Sequence, residues 1–384
     1  MEPVENVLLT DGLMRKALAA TRSLGRRGLR VSVGEKTRFH PAGGSKYCAD
    51  RLLYPDPVEK PGDFLEWLLA YLQRARPTAL FPMDDAVMDL AVAQRNEIER
   101  WTRAALPPAE SYGKLRDKRE GVKLAAAAGL RCPINYSYHG NLPPPLPAVI
   151  RPRVGSGSRG FRLARTPEEF QRYYQEIIKL DPAPLLQEYI DPGPRYGVNL
   201  LYDLNGRLKA SFVQKETRGF PIPHGPSAVQ ESIHRPELVE MAVSVLKNAP
   251  WQGVLQFEFI EDAKNGQPVF LEVNTRFWNS LHLSVSCGVD FPWLLYRVLA
   301  GEQVPETHHY PAGIRCHSLL PSDFFYFLAS KDRFRLDPPV WRVNSGGVQD
   351  DILAWEDLGA AAGFFLASLR YGLDPHMWQL LLRR

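Results

Sequence analysis

Only four cysteines occur in 384 residues (Cys48, Cys132, Cys287 and Cys316), and no two sit in a C-x-x-C pair. A zinc site or disulfide framework is therefore not expected, and a reducing cytoplasm is the compartment this implies. The chain does not open with a basic stretch followed by an apolar one, so no signal peptide is read. Long apolar runs are also missing. The uncharged segment Gly359 to Leu369 has about half of the ~20 residues that a membrane span needs. Charge of one sign is scarce too: 47 Lys+Arg against 43 Asp+Glu leave a net charge of only +4. No basic run interleaves with aromatics, so neither nucleic acid nor a membrane is expected as a partner. Small anionic ligands suit the balance better.

With 45% hydrophobic residues the composition is that of a globular protein, and the length asks for two or three sub-domains. The first segment reads β-α-β. Val7 to Leu9 is an apolar strand, Leu13 to Leu24 has helical spacing, and Leu29 to Val33 is a second strand. Ala79 to Pro82 reads as a third strand, followed by Asp84, Asp85 and a helix from Val87 to Arg100. Such alternation predicts a parallel, Rossmann-like sheet. The first turn, Thr10-Asp11-Gly12-Leu13, carries no G-x-G-x-x-G, so dinucleotide binding is not expected. Beyond Pro107 a helix is read from Arg119 to Ala128, and Pro143 to Pro145 mark a loop. From Ala148 to Asn274 the pattern is mostly strands, with helices at Pro167 to Lys179 and Pro236 to Asn248. The fold class expected is α/β with α+β.

Val254 to Ile260 and Pro268 to Asn274 read as a hairpin around Asn265-Gly266. The apolar faces match only if paired residue numbers sum to 530, which sets Glu258 against Glu272 and Gln256 against Asn274. Facing acids ~5 Å apart repel, and the pKa of one member rises, unless a divalent cation bridges them. A solvated face with two incidental acids is the other reading. A two-residue turn at Asn265-Gly266 would instead pair Glu258 with Val273. The 530 register therefore requires an odd number of unpaired residues, or a bulge. Upstream, Arg151-Pro152-Arg153 leads into Gly155-Ser156-Gly157-Ser158-Arg159-Gly160, a Gly-rich loop between two strands. It lacks the helix and Gly-Lys-Ser/Thr ending of a P-loop, but its N–H groups can still fold over phosphates.

Glu272-Val-Asn274-Thr-Arg276, preceded by Phe257-Glu258-Phe259, resembles the metal motif of ATP-grasp enzymes, biotin carboxylase especially. Phe277-Trp278-Asn279-Ser280 is similar to a group of ATP-grasp carboligases in which Arg-Phe-Trp-Gly-Ser is typical, with Asn279 in place of the glycine. The resemblance spans about residues 5 to 302. It implies a Rossmann-like pre-ATP-grasp domain (1–110), an ATP-grasp domain (111–302, with a mobile phosphate lid at about 130–185) and a C-terminal accessory segment (303–384). Glu258, Glu272 and Asn274 would hold magnesium, or manganese in its place, and Arg276 would meet the substrate carboxylate. Lys118 and Arg151 would contact ATP phosphates under the lid of Gly155, Ser156, Gly157 and Ser158. Most relatives have lysine where Arg151 stands; carbamoyl phosphate synthetase has arginine. Lys114 is a rival to Lys118. Leu185 to Ile190 resembles the hinge strand that reads adenine, with Gln187, Glu188 and Ile190 near the nucleotide. Lys215, Arg218 and His224 are candidates for phosphate or substrate.

The implied activity is an ADP-forming carboxylate–amine ligase that passes through an acyl phosphate. Its partners would be a small carboxylate and an amine, and the protein is open to homo-oligomerisation. Bicarbonate activation through carboxyphosphate is the alternative within the family. A nucleotide-binding module without turnover is the alternative outside enzymes.

Overall fold

Val7, Leu8 and Leu9 are fully buried, as a strand covered on both faces requires. The computed structural model describes residues 5–372, apart from 141, 156–159 and 223–224. Strands β1 (Asn6–Leu9), β2 (Arg30–Glu35), β3 (Asp50–Leu53) and β4 (Ala79–Phe81) form a parallel sheet in the order β3-β2-β1-β4. The expected parallel sheet is therefore present. Two of its parts were not read in the sequence: β3 and the helix Pro61–Ala75, which opens on Pro61 where a turn would be read. The single helix expected over Val87 to Arg100 is two, Asp85–Ala93 and Arg95–Ile98, broken at Gln94 (φ −110°, ψ 25°).

At the end of β2, Glu35 is buried while accepting hydrogen bonds from the N–H groups of Leu13 (2.9 Å) and Lys36 (2.7 Å). Burial, reinforced by the nearby Asp11, pushes its carboxyl up to about 7. A carboxyl raised in the fold is a liability at high pH, relieved as pH falls through the folded value towards the unfolded one. Urea unfolding should therefore show wild type gaining stability relative to Glu35→Gln between pH 8 and pH 5. A difference that stays constant over that range would mean that Glu35 titrates normally.

Strands β5 (Ala148–Arg151), β6 (Arg162–Ala164) and β7 (Leu185–Glu188) form a small antiparallel sheet, β6-β5-β7. The helix Pro167–Ile177 packs on it, started by a reciprocal cap: Thr166 accepts from Glu169 N–H, and Glu169 accepts from Arg165 N–H. The main sheet has seven strands: β8 (Pro192–Tyr202), β9 (Leu208–Gly219), β10 (Ser227–Ile233), β11 (Gly253–Asp262), β12 (Pro268–Asn274), β13 (Arg315–His317) and β14 (Val348–Asp350). Their order is β12-β11-β8-β9-β10-β13-β14. Two of them, β13 and β14, come from the segment read as accessory, so its backbone is hydrogen-bonded into the sheet that carries the acids. One face of this sheet is apolar, with Val198, Val213, Phe257, Phe259 and Val273 in a core shared with the helix Pro236–Leu246. The other face is apolar where Leu201, Ala210, Phe212 and Val254 meet the N-terminal elements, and polar around Glu258 and Glu272.

The β11–β12 hairpin has Glu258 opposite Glu272 and Gln256 opposite Asn274, the register expected. It is reached by a bulge. Nearer the turn, Phe259 faces Phe270, and the register shifts by one at Leu271. The matching of Phe259 with Leu271 is thereby corrected, since Leu271 is the extra residue. The turn spans more than Asn265-Gly266: Gly266 N–H returns to Asp262 C=O at 2.8 Å, with Gly266 at φ +70°.

Candidate active site

Four strands give the polar face its row of functional groups. Across β9, β8, β11 and β12, Gln214, Gly197, Glu258 and Glu272 stand side by side. The next row towards the strand ends holds Asn199, Gln256 and Asn274. The absence of a side chain at Gly197 makes room between them. A Cβ there would lie 2.8 Å from Gln256 Nε2 and 3.2 Å from Gln214 Cγ.

Charge is unevenly shared between the two acids. Burial and the adjacent Glu272 charge raise the carboxyl of Glu258. Glu272 is buried as well, but Lys118, Arg151 and Arg276 outweigh the burial and hold it below the ordinary range. Arg151 Nη1 lies 2.8 Å from Glu272 Oε2, and Lys118 Nζ lies 3.7 Å away. Both cations are fixed by their surroundings. Arg151 also donates to Gln187 Oε1 (2.9 Å) and Leu271 C=O (3.1 Å). Lys118 begins the helix Lys118–Ala127, capped by Asp117, and donates to Gly155 C=O at 2.5 Å.

Asn274 donates through Nδ2 to Glu258 Oε1 (2.7 Å) and Gln256 Oε1 (3.1 Å). Its Oδ1 accepts a long hydrogen bond from Arg276 Nη2 (3.4 Å). From Gln256 the amides continue head to tail: Gln256 Nε2 donates to Asn199 Oδ1 (2.9 Å), Asn199 Nδ2 to Gln214 Oε1 (3.4 Å), and Gln214 Nε2 to Ser280 Oγ (2.5 Å). Two carboxylates and a carboxamide oxygen, with no thiolate or imidazole among them, form an oxygen donor set that suits a hard divalent cation.

Two adjoining cavities use this wall. The first is lined by Lys118, Arg151, Gly155, Gln187, Glu188, Ile190, Glu258 and Glu272, so these candidates are brought together. Its apolar side is Val149, Ile190, Ile260 and Leu271. Glu188 is turned aside, accepting from Ile134 N–H (3.2 Å) and lying 3.6 Å from Arg131. The second cavity, about 160 Å³, is lined by Arg15, Gln214, Glu216, Gln230, Asn274, Arg276 and Ser280 among others. Arg195 lines both.

Other candidates lie elsewhere. Lys215 is a correction: Gln214 and Glu216 line the second cavity, so the pleat turns Lys215 to the opposite face, beside Glu231. Arg218 is buried and clasps Asp323 with two hydrogen bonds, at 2.7 and 2.8 Å. Lys114 pairs with Glu110 at the surface. Ser156, Gly157, Ser158 and His224 lie outside the described residues.

Arg276 lines the second cavity but is tethered from the N-terminal sheet. Its Nε lies 3.0 Å from Asp85 and 3.2 Å from Asp84, at the end of β4. Lys16 Nζ reaches Asp84 (2.8 Å) and Phe277 C=O (3.3 Å). Burial and the neighbouring Arg276 lower Lys16 to about 8, and Lys16 and Arg276 overcome burial to hold Asp84 at about 2. Asp84 and Asp85 had one sequence signal, their place just past a parallel strand, where such sheets present ligand groups. Arg15, Arg195 and Glu216 had none.

The chain matches, over residues 181–319, the family model described as ATP-grasp in the biosynthetic pathway with Ter operon. It is 26% identical over 222 residues to the alpha subunit of rat mitochondrial methylcrotonoyl-CoA carboxylase, a match covering 52% of this chain and 30% of that protein. With the 2-oxoglutarate carboxylase small subunit of Hydrogenobacter thermophilus it is 25% identical over 231 residues, 57% of this chain and 45% of the relative. The chain thus spans well under two thirds of these relatives. Among solved structures it is similar to the biotin carboxylase domain of that H. thermophilus enzyme, in complex with MgADP, ADP and bicarbonate (TM-score 0.64, 18% identity, 81% of this chain and 73% of the other). It is also similar to an L-amino acid ligase from Bacillus licheniformis (TM-score 0.60, 16% identity, 77% and 74%).

Proposed function

Because this chain is an ATP-grasp superfamily protein related to the biotin-carboxylase-like enzymes, we propose that it uses ATP to activate a carboxyl oxygen, bicarbonate in the first instance, as a mixed phosphate anhydride. The observation that carries this is the Glu258–Glu272 pair with Asn274 Oδ1 beside it, at the junction of two cavities. In this reading the first cavity takes the nucleotide, with its base against Ile190 and Ile260 and its phosphates towards Lys118, Arg151 and Gly155. Glu258, Glu272 and Asn274 would hold magnesium, which when bound neutralises phosphate charge and polarises the transferred phosphoryl group.

The carboxyl oxygen attacks the γ-phosphorus, the bond to the β-phosphate oxygen breaks, and ADP leaves. Arg195 and Arg276 flank the place where the attacking oxyanion sits, and both carry permanent charge. Asp84 and Asp85 keep Arg276 in its orientation. The carboxylase names of the curated relatives and the bicarbonate in the H. thermophilus structure support bicarbonate as the acid. Carboxylate–amine ligation is the second reading, favoured by the length of the second cavity, which reaches from β12 to β10.

ADP release measured with bicarbonate, and with carboxylates and amines singly and paired, separates the two readings. Bicarbonate-dependent release without an organic acid would support the first. Release only with an acid–amine pair would support the second, and none under any condition would count against both. In the same protein, Arg151→Ala should weaken Mg–ADP binding by about 2 kcal/mol or more, with Arg151→Lys falling between. Titration calorimetry checks it, and equal affinities across the series would remove Arg151 from the phosphate site.

A further inference from the structure

The chain saturates its buried guanidinium groups almost everywhere. Arg22 donates to Asp357 (2.8 Å), Ile352 C=O (2.8 Å) and Asp351 C=O (3.2 Å). Arg218 has both oxygens of Asp323 and the carbonyl of Pro338, and Arg151 has three acceptors. Arg276 leaves its buried Nε without a hydrogen bond, though Asp84 and Asp85 lie 3.2 and 3.0 Å from it, and Arg15 leaves more. Its side chain is 18% exposed, and its one close charge is Asp351, 3.1 Å from Nη1. That Nη1 is buried without a hydrogen bond, and no other nitrogen of the group has one among the described residues. Apart from Nη1, which is buried beside Asp351, the N–H donors of this planar cation have no acceptor among the described residues, and the residue lines the second cavity.

Arg15 is also fixed in place. Ser318 Oγ donates to Asp351 Oδ2 at 2.5 Å, and Asp351 directly follows β14. The C-terminal segment therefore pins the Arg15 guanidinium at the β10 side of the cavity. The paired acids stand at the other side, Glu258 on β11 three strand spacings from β10 and Glu272 on β12 four, or about 14 and 19 Å at the usual ~4.8 Å per strand. Between them the wall offers Gln214, Gln230, Asn279 and Ser280, neutral groups that hydrogen-bond a polar molecule, and one acid, Glu216, whose carboxyl burial raises to about 7, so that its charge is partly suppressed at neutral pH. Bicarbonate bound between the acids would lie three or more strand spacings from β10.

We propose that Arg15 binds an anionic group, carboxylate or phosphate, of an organic substrate held in the second cavity. This rests on the proposed use of the second cavity for the reacting molecules, and it makes the organic substrate an acid whichever carboxyl is activated. A planar guanidinium offers paired N–H groups to two oxygens of such an anion. Asp351 and Ser318 act through Arg15 as positioning residues.

The test is calorimetric binding in the presence of Mg–ADP, with succinate and glutarate as dicarboxylates, 3-phosphoglycerate as a phosphorylated acid, and butyrate as the single-charge control. Wild type should bind at least one of the doubly charged acids ten times more tightly than butyrate. A preference for 3-phosphoglycerate would assign phosphate, and one for the dicarboxylates would assign carboxylate. Arg15→Met should erase the preference and Arg15→Lys restore part of it, with Mg–ADP affinity unchanged in both, which also reports that they fold. Equal binding of all four acids, no binding of any, or a preference that survives Arg15→Met would overturn the assignment. Each of those results with Mg–ADP still bound leaves the nucleotide site standing. Loss of Mg–ADP binding by wild type would instead remove the functional reading itself.

Discussion

Glu272→Gln and Glu258→Gln should both lower ATP turnover, on the order of 10²–10³-fold, yet move the stability of the metal-free protein in opposite directions. A mutual repulsion between two facing acids, which is all the sequence offers, would let either substitution stabilise the apo protein. The structure alters the sign for one of them. Glu272 answers Arg151 at 2.8 Å and Lys118 at 3.7 Å, so its loss leaves two half-buried cations short of a counter-charge. About 1–2 kcal/mol of destabilisation follows. Glu258 has only the amide of Asn274 as a donor and is held above the ordinary carboxylate range by burial and by Glu272. A glutamine there keeps an acceptor for Asn274 and drops the repulsion, so stability should be unchanged or higher by up to about 1 kcal/mol. Urea unfolding in EDTA, beside an ADP-release assay, reads both effects. Shifts of the same sign would mean that the two acids do not divide their charge in this way.

Asp323→Ala should be the most destabilising single change near the sheet, at about 3–5 kcal/mol, because it strands a buried guanidinium. Arg218 donates to Asp323 at 2.7 and 2.8 Å, His317 Nδ1 lies 3.2 Å from the same carboxylate, and neither Asp323 nor His317 is exposed to solvent. The double variant Arg218→Met/Asp323→Leu removes both charges at once and should recover a large part of the loss. Mg–ADP affinity should hardly change across the series. If Arg218→Met weakened nucleotide binding while leaving the unfolding midpoint alone, Arg218 would belong to the phosphates after all.

The contrast between Glu258 and Arg218 shows what the sequence could tell. Hairpin register is local: both strands lie within 22 residues, and the apolar alternation of Leu255, Phe257 and Phe259 admits one solution. Even so, the alternation cannot say which residue is extra, and Leu271 was assigned to a pair instead of the bulge. Arg218 looked like a loop cation because Asp323 lies 105 residues away. Lys215 went wrong by a single step of the pleat, since only the pairing with β8 and β10 tells which of two adjacent side chains faces the cavity. The parallel N-terminal sheet was legible from its alternation of strand and helix. The tether from Asp84 and Asp85 to Arg276 was not, because nothing local links residues nearly two hundred positions apart. Likewise, β13 and β14 are three residues long, too short for a periodicity to register.

The row of amides from Asn274 to Ser280 is polarised in one sense. Every member donates in the same direction, so no single carboxamide can flip without placing two donors or two acceptors nose to nose; the row reverses as a unit or not at all. In the observed sense Asn274 takes a hydrogen bond from Arg276 on its oxygen and gives its Nδ2 to Glu258. In reverse, that oxygen would face the carboxylate of Glu258 and the amide N–H groups would face the guanidinium of Arg276. An acid and a base together therefore set the sense of a hydrogen-bonded line crossing four strands. Ser280, whose hydroxyl can accept or donate, tolerates either sense at the far end. The orientation fixed at Glu258 and Arg276 is thus carried to Ser280, in the wall of the cavity where the reacting molecule would lie.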